Sequence, residues 1–252
     1  MTTPKTTEVS WNFLALCAAC LLAAVSLLLW PQFAGVETFA FVLLGWLVSL
    51  CLHEYAHAAF AFAYGDHSIE DRRYLTLDPV LYFRGSSLFL PLLALVSGGI
   101  ALPGGAVLIR NDLIRQRWQQ SVVALAGPAT TLVCGLVAYG AAQIIGDNES
   151  TALLKDALIL LVFFELMAFV LNILPLPGLD GFAALRPWLP SSLTRIVPAR
   201  FGGMVSLAML ALVFFYGYRI IYPAIGLIAG VTGMDLSGVW RAFDRFHFWH
   251  GN

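Results

Sequence analysis

The chain has 252 residues, a formal net charge of −1, 60% apolar and 12% charged residues, and a mean hydropathy of +0.81. Charge this far below the ~25% of a typical soluble domain excludes disorder and an ordinary soluble fold, and the lack of basic excess excludes nucleic acid as a partner. The composition is that of an integral membrane protein.

Charge-free windows set out the predicted elements in chain order. Trp11 to Trp30 carries no charge and has tryptophan at both ends. About 20 residues at ~1.5 Å each match a ~30 Å bilayer core, and tryptophan favours its interfaces. This run is too long for a signal-peptide core, so it is expected to be retained as a span. The spacing predicts spans over 11–30, 38–64, 119–145, 152–174, 201–217 and 220–233, within a single membrane-embedded domain. The last two are separated by Arg219 and leave open two spans or one plus a re-entrant piece. The chain has four cysteines. Cys17, Cys20, Cys51 and Cys134 all sit in apolar stretches. Cys17 and Cys20 form a C-x-x-C with no basic neighbour to favour a thiolate, so they read as small buried helix residues.

Basic residues orient the chain. Arg72, Arg73 and Arg84 follow the second span; Arg110, Arg115 and Arg117 precede the third; Arg186, Arg195 and Arg200 follow the fourth. Asp147 and Glu149 lie between the third and fourth. The positive-inside rule puts the arginine clusters in the cytoplasm. Residues 86–109 then begin and end on one side. They are too short to cross twice, and their glycines and Pro103 fit a re-entrant loop or β-hairpin, tolerated at membrane depth only where it lines a wet cavity or is buried in protein. The fold class is therefore an all-α polytopic membrane protein, with about 5–6 transmembrane helices and this element between the second and third.

The second span carries the chemistry. His53-Glu54-Tyr55-Ala56-His57 is an H-E-x-x-H. Helix positions four apart stack on one face, so both imidazoles reach one ion. Zinc suits such a pair, with Glu54 beside it as general base. Ionisable groups inside an otherwise charge-free span are costly and point to function. A catalytic zinc takes three protein ligands and keeps one open position. The residues leave Asp66, His67, Glu165 and Asp180 as candidates for the third. Asp180 follows Asn172-Ile173-Leu174-Pro175-Leu176-Pro177-Gly178-Leu179, where two prolines stop a helix and glycine permits a tight turn.

From about Leu44 to Leu189 the chain resembles the site-2 proteases, intramembrane zinc metalloproteases. His53 to Ala58 with Gly65-Asp66, Thr76-Leu77-Asp78-Pro79, Gly85-Ser86 through Leu93, Ala126-Gly127-Pro128, and Asn172-x-x-Pro175-x-Pro177-x-x-Asp180-Gly181 resemble the family's segments in order. The resemblance implies His53, His57 and Asp180 as ligands of one Zn2+ per chain, Glu54 as catalytic base, and Asn172 as a substrate-holding residue. An extended substrate segment is expected to pair with the glycine-rich loop at Gly104 and Gly105. Gly178 stands where many relatives have proline, Phe182 where a second glycine is common, and Glu165 where an uncharged polar residue is expected. Glu165 lies seven residues before Asn172 on the same helix face, so it points into the bundle as a supporting residue. No insertion long enough for a PDZ domain is present, so a compact member is expected.

The function expected is hydrolysis of a peptide bond within or beside the transmembrane helix of a single-pass membrane protein. The family resemblance implies that it follows trimming by an upstream site-1-type protease, and a bacterial inner membrane with the active site toward the cytoplasm is expected. A polytopic transporter also places ionisable residues and broken helices near mid-membrane, and a non-proteolytic metal-binding membrane protein is the third class. The first would be expected to show inverted repeats, and none is evident; the intact Glu54 speaks against the second.

Overall fold

A computed structural model of the chain describes residues 8–83, 92, 93, 95, 107–146, 148–190, 211 and 215–250. These residues form helices, turns and connections, with no strand among them. The long helices are α1 (Trp11–Leu29), α2 (Ala34–Ala63), α5 (Arg117–Ile145) and α6 (Ala152–Ile173). Short helices α3 (Ser68–Asp71) and α4 (Pro79–Tyr82) follow α2, and α7 (Asp180–Leu185) follows α6. The chain closes with α8 (Tyr218–Thr232) and α9 (Val239–Phe246). Among the described residues, four segments are long and apolar enough to cross a membrane: Trp11–Leu29, Pro31–Ala63, Arg117–Ile145 and Ala152–Ile173.

Local chemistry sets the boundaries. Ser10 caps α1, its hydroxyl accepting from the Asn12 amide at 3.1 Å. Trp30 precedes Pro31 and leaves the helical region at φ −130°, ψ 65°, as the proline ring requires of its neighbour. α1 buries only Phe13 and Leu27, so most of its surface is left for lipid. α6 is the opposite case. Seventeen of its residues, from Leu154 to Asn172, are buried, which makes it the centre of the bundle. Phe41, Val42 and Trp46 of α2, Ala138 and Ala142 of α5, Ile221 and Ile225 of α8, and Val239 and Phe246 of α9 share one core with it. In lipid the drive to associate comes from close packing rather than from leaving water, and small residues permit it. A Cβ on Gly45 of α2 would lie 2.8 Å from Leu161 Cδ2 of α6, and one on Gly135 of α5 would lie 3.1 Å from Glu165 Cβ.

Predicted span 220–233 corresponds to α8, which at 15 residues and ~1.5 Å per residue is roughly 22 Å long, short of the ~30 Å core. It ends at Gly233, whose φ of +71° suits a glycine stop. Of span 201–217, only 211 and 215–217 are described. The re-entrant element at 86–109, with Gly104 and Gly105, falls almost wholly outside the described residues, as do Arg84, Asp147, Arg195 and Arg200. Cys17 and Cys20 are free and only half-buried, while Cys51 is free and buried.

Two polar ties frame the bundle. At one end, Asp156 of α6 is buried and receives Arg241 (3.0 and 2.7 Å) and Arg245 (3.0 Å) from α9. At the other, Asp66 just after α2 is fully buried. It accepts from the Ser68 amide and hydroxyl and, at 2.7 Å, from the Arg110 amide. The Arg72 guanidinium donates to the Leu108 carbonyl at 2.9 Å. Those bonds pin residues 107–110 against the end of α2 that carries the histidines.

Candidate metal centre

His53 and His57 lie one turn apart on α2, 4% and 6% exposed, facing α5. Asp180 is the first residue of α7. Pro175 and Pro177 end α6, and Gly178 turns the chain at φ +97°. Proline is fixed near φ −65°, so this turn accounts for glycine at 178 where the family pattern has proline. A Cβ on Gly181 would meet the Ile173 and Leu174 carbonyls, the latter at 2.6 Å. The residue after Asp180 must therefore be glycine for α7 to fold back onto the end of α6.

The result is a near-equilateral donor triangle. The two Nε2 atoms are 3.1 Å apart, and they lie 3.2 Å (His53) and 3.4 Å (His57) from Asp180 Oδ2. Tetrahedral zinc with ~2.0–2.1 Å bonds needs donor separations of roughly 3.3 Å and leaves its fourth position open. The donor set fits. Tautomers support this: the Val123 carbonyl, 2.7 Å from His57 Nδ1, only accepts, so Nδ1 carries the proton and Nε2 presents its lone pair. His53 Nδ1 is 2.9 Å from the Thr131 hydroxyl. Such outer contacts fix ring orientation and raise ligand basicity.

Glu54 projects beside this triangle, 5% exposed. Its Oε2 accepts from the Val107 amide at 3.1 Å. A cavity of about 160 Å³ joins Glu54, His57, Asp180, Val107, Gln120 and Ala124, room for several waters at ~30 Å³ each. A buried carboxylate, two imidazoles, an acidic donor and water-sized space therefore meet in one place.

The other sequence candidates fall elsewhere. Asp66 is committed to Ser68 and Arg110, and His67 stacks edge-on against Phe62; neither joins the donor group. Glu165 points into the bundle, its Oε2 accepting from the Ser49 hydroxyl at 2.6 Å. Ser49 is one turn deeper on α2 than His53, so Glu165 supports the helix packing below the site rather than entering it. Its other oxygen is buried without a hydrogen bond. Asn172 is buried in the last turn of α6. Sequence reasoning missed the roles of Val123, Gly127 and Thr131, spaced by four along one face of α5. A Cβ on Gly127 would lie 2.6 Å from His53 Nε2 and closer still to His57 Nε2, so only glycine lets α5 approach the imidazoles.

Comparison with known proteins agrees. Over 177 residues the chain is 42% identical to "Putative zinc metalloprotease Rip2" of Mycolicibacterium smegmatis, covering 69% of this chain and 68% of that protein. Over 182 residues it is 43% identical to the protein of the same name from Mycobacterium tuberculosis H37Rv, covering 71% and 69%. The chain belongs to the site-2 protease family. "Putative zinc metalloprotease YwhC" of Bacillus subtilis is 29% identical over 154 residues, covering 57% of this chain and 67% of its own length. No family model matches the chain, and no solved structure matches it. This site-2 protease is thus a zinc metalloprotease of the multi-pass, all-α membrane class, with His53, His57 and Asp180 as the group able to hold its ion.

Proposed function

We propose that this metalloprotease hydrolyses a peptide bond within or beside the transmembrane helix of a single-pass membrane protein, with Glu54 as its general base. The observation that carries the reading is the donor triangle and buried Glu54 facing a cavity at the end of a 30-residue apolar helix. A folded soluble protein does not reach such a site, whereas a helix that enters sideways and frays does.

Zinc held by His53, His57 and Asp180 supplies polarisation of the scissile carbonyl and acidification of water. The protein does the rest. Glu54 accepts a proton from the attacking water and delivers it to the leaving amine nitrogen as the C–N bond breaks and the C–O bond forms. The Val107 N–H holds the Glu54 carboxylate by its Oε2. Val123 and Thr131 keep the imidazoles turned toward Asp180. The substrate must be unwound locally, because a helix satisfies and hides its own carbonyls. Asn172 and the backbone at Gly104 and Gly105 are assigned to hold that extended strand.

Arg72, Arg115 and Arg186 all lie on the connections at the donor-group end of the bundle, and by the positive-inside rule that end faces the cytoplasm. The protein then sits in a bacterial inner membrane, surrounded by lipid. It acts without nucleic acid, after an upstream site-1-type protease has trimmed the substrate's outer domain, and as one membrane-embedded domain.

The test is Glu54→Gln in purified protein loaded with zinc, assayed on a transmembrane peptide. Zinc stays bound, and cleavage falls by several orders of magnitude, as loss of a base requires. Near-normal turnover would place the base elsewhere. Efficient cleavage of soluble unfolded chains alone would overturn the substrate class.

A further inference from the structure

The reaction cavity adjoins a second space. Asn111, Gln120 and Ala183 line both the 160 Å³ cavity beside Glu54 and a cleft of about 710 Å³. The cleft lies between the start of α5 and the turn after α7, with Arg117, Arg186 and Trp188 on its walls. Its outer wall is held in place. The Trp188 indole N–H donates to the Ser121 hydroxyl at 2.9 Å, and that hydroxyl donates to the Ala184 carbonyl at 2.6 Å. On the floor, the Gln120 amide donates to the Asn111 and Ile114 carbonyls at 3.1 and 2.9 Å.

The charge of this cleft is one-sided. Among its described lining residues the one acidic group, Asp112, is already engaged by Arg110 at 2.7 Å. Arg117 and Arg186 have no acidic partner among the described residues. Two guanidiniums without an acidic partner among the described residues, one at the start of α5 and one on the turn after α7 beside the exposed Trp188, suit carboxylates carried on an extended chain, since guanidinium matches carboxylate geometry.

We propose that this cleft is an exosite that binds an acidic stretch of the substrate chain next to the cleaved bond, Arg117 and Arg186 pairing with its carboxylates. The proposal rests on the reading that the protein cleaves a membrane-anchored chain, and it names which chains are preferred. Adjacency to the reaction cavity favours a peptide over a lipid headgroup. A chain with its scissile bond beside Glu54 reaches the cleft within a few residues past Asn111, Gln120 and Ala183, whereas a lipid headgroup has no tie to the reaction cavity.

The experiment has a binding arm and a cleavage arm. Zinc-loaded Glu54→Gln protein in phosphatidylcholine nanodiscs is titrated with fluorescent peptides that are acidic, neutral (Glu replaced by Gln) or basic (Glu replaced by Lys). The acidic peptide binds about tenfold tighter than the neutral one, as expected of two exposed ion pairs acting together, and added salt reduces the difference. Adding Arg117→Glu and Arg186→Glu reverses the preference toward the basic peptide, while zinc content is unchanged. Arg117→Gln with Arg186→Gln abolishes the preference and serves should the reversed pair fold poorly. Equal binding of all peptides, or an acidic preference that survives these changes, overturns the exosite. So does selective retention of phosphatidylglycerol by the parent over the Arg117→Glu/Arg186→Glu variant without any peptide preference, which assigns the cleft to lipid. In the cleavage arm, the three flanks are fused to a transmembrane substrate of the active protein, and the acidic one lowers KM relative to the other two while leaving kcat alone. Failure to cleave any of them refutes the proteolytic reading, while the binding arm still decides the exosite.

Discussion

Gly127→Ala separates the metal site from the fold with one methyl group. The added Cβ would stand 2.6 Å from His53 Nε2 and 2.7 Å from His53 Cε1, and closer to His57 Nε2. Carbon and nitrogen not bonded to each other settle at ~3.5 Å or more, so the His53 ring must retreat by roughly 0.8–0.9 Å and the His57 ring by more. They are not free to do so, because Thr131 and the Val123 carbonyl hold their far nitrogens at 2.9 and 2.7 Å. Metal–ligand distances tolerate about ±0.2 Å, several times less than the imposed shift. Zinc affinity should therefore fall at least as far as outer-contact mutations take it, about 10–100-fold. The helix itself should not suffer, since alanine is favoured over glycine inside a helix by ~1 kcal/mol. Gly140→Ala on the same helix is the control, because a Cβ there meets nothing within 4 Å. Competition with a zinc chelator measures affinity, and helicity and melting report the fold. If Gly127→Ala holds zinc as tightly as the parent and Gly140→Ala variants do, the close approach of α5 to the imidazoles is wrong.

Other expectations follow from the same contacts. Thr131→Val removes the hydroxyl 2.9 Å from His53 Nδ1; zinc affinity should drop about 10–100-fold and be largely restored by Thr131→Ser, measured by the same competition. Asp156→Ala removes the buried carboxylate that holds Arg241 and Arg245. Both arginines can turn to water, so the cost should be about 1–3 kcal/mol, seen as proteolytic nicking near α9 with zinc content intact; an undamaged α9 would show that apolar packing alone seats it. Cysteines introduced at Arg72 and Arg115, in a background lacking the native four, should be labelled from the same side of intact cells. Labelling from opposite sides would make the segment between them a full span.

What the sequence determined by itself was local. Helical periodicity is enough to place His53 and His57 on one face, to make Glu54 their neighbour, and to turn Glu165 toward the bundle interior. Proline chemistry is enough to end α6 before Asp180. Bilayer thickness and the absence of charge are enough to locate the four long helices. Each of these depends on residues within a few turns of one another. The tertiary structure decided which of Asp66, His67, Glu165 and Asp180 joins the histidines, because that depends on where separate helices end relative to one another. It also decided the roles of Val123, Gly127 and Thr131. They line one face of α5, but nothing local distinguishes a face that meets two imidazoles from one that meets lipid, since both are apolar. The clasp of Arg241 and Arg245 on Asp156 was hidden for the same reason: the partners lie 85 and 89 residues apart along the chain. Contacts between distant segments have no sequence period, and only packing brings them together.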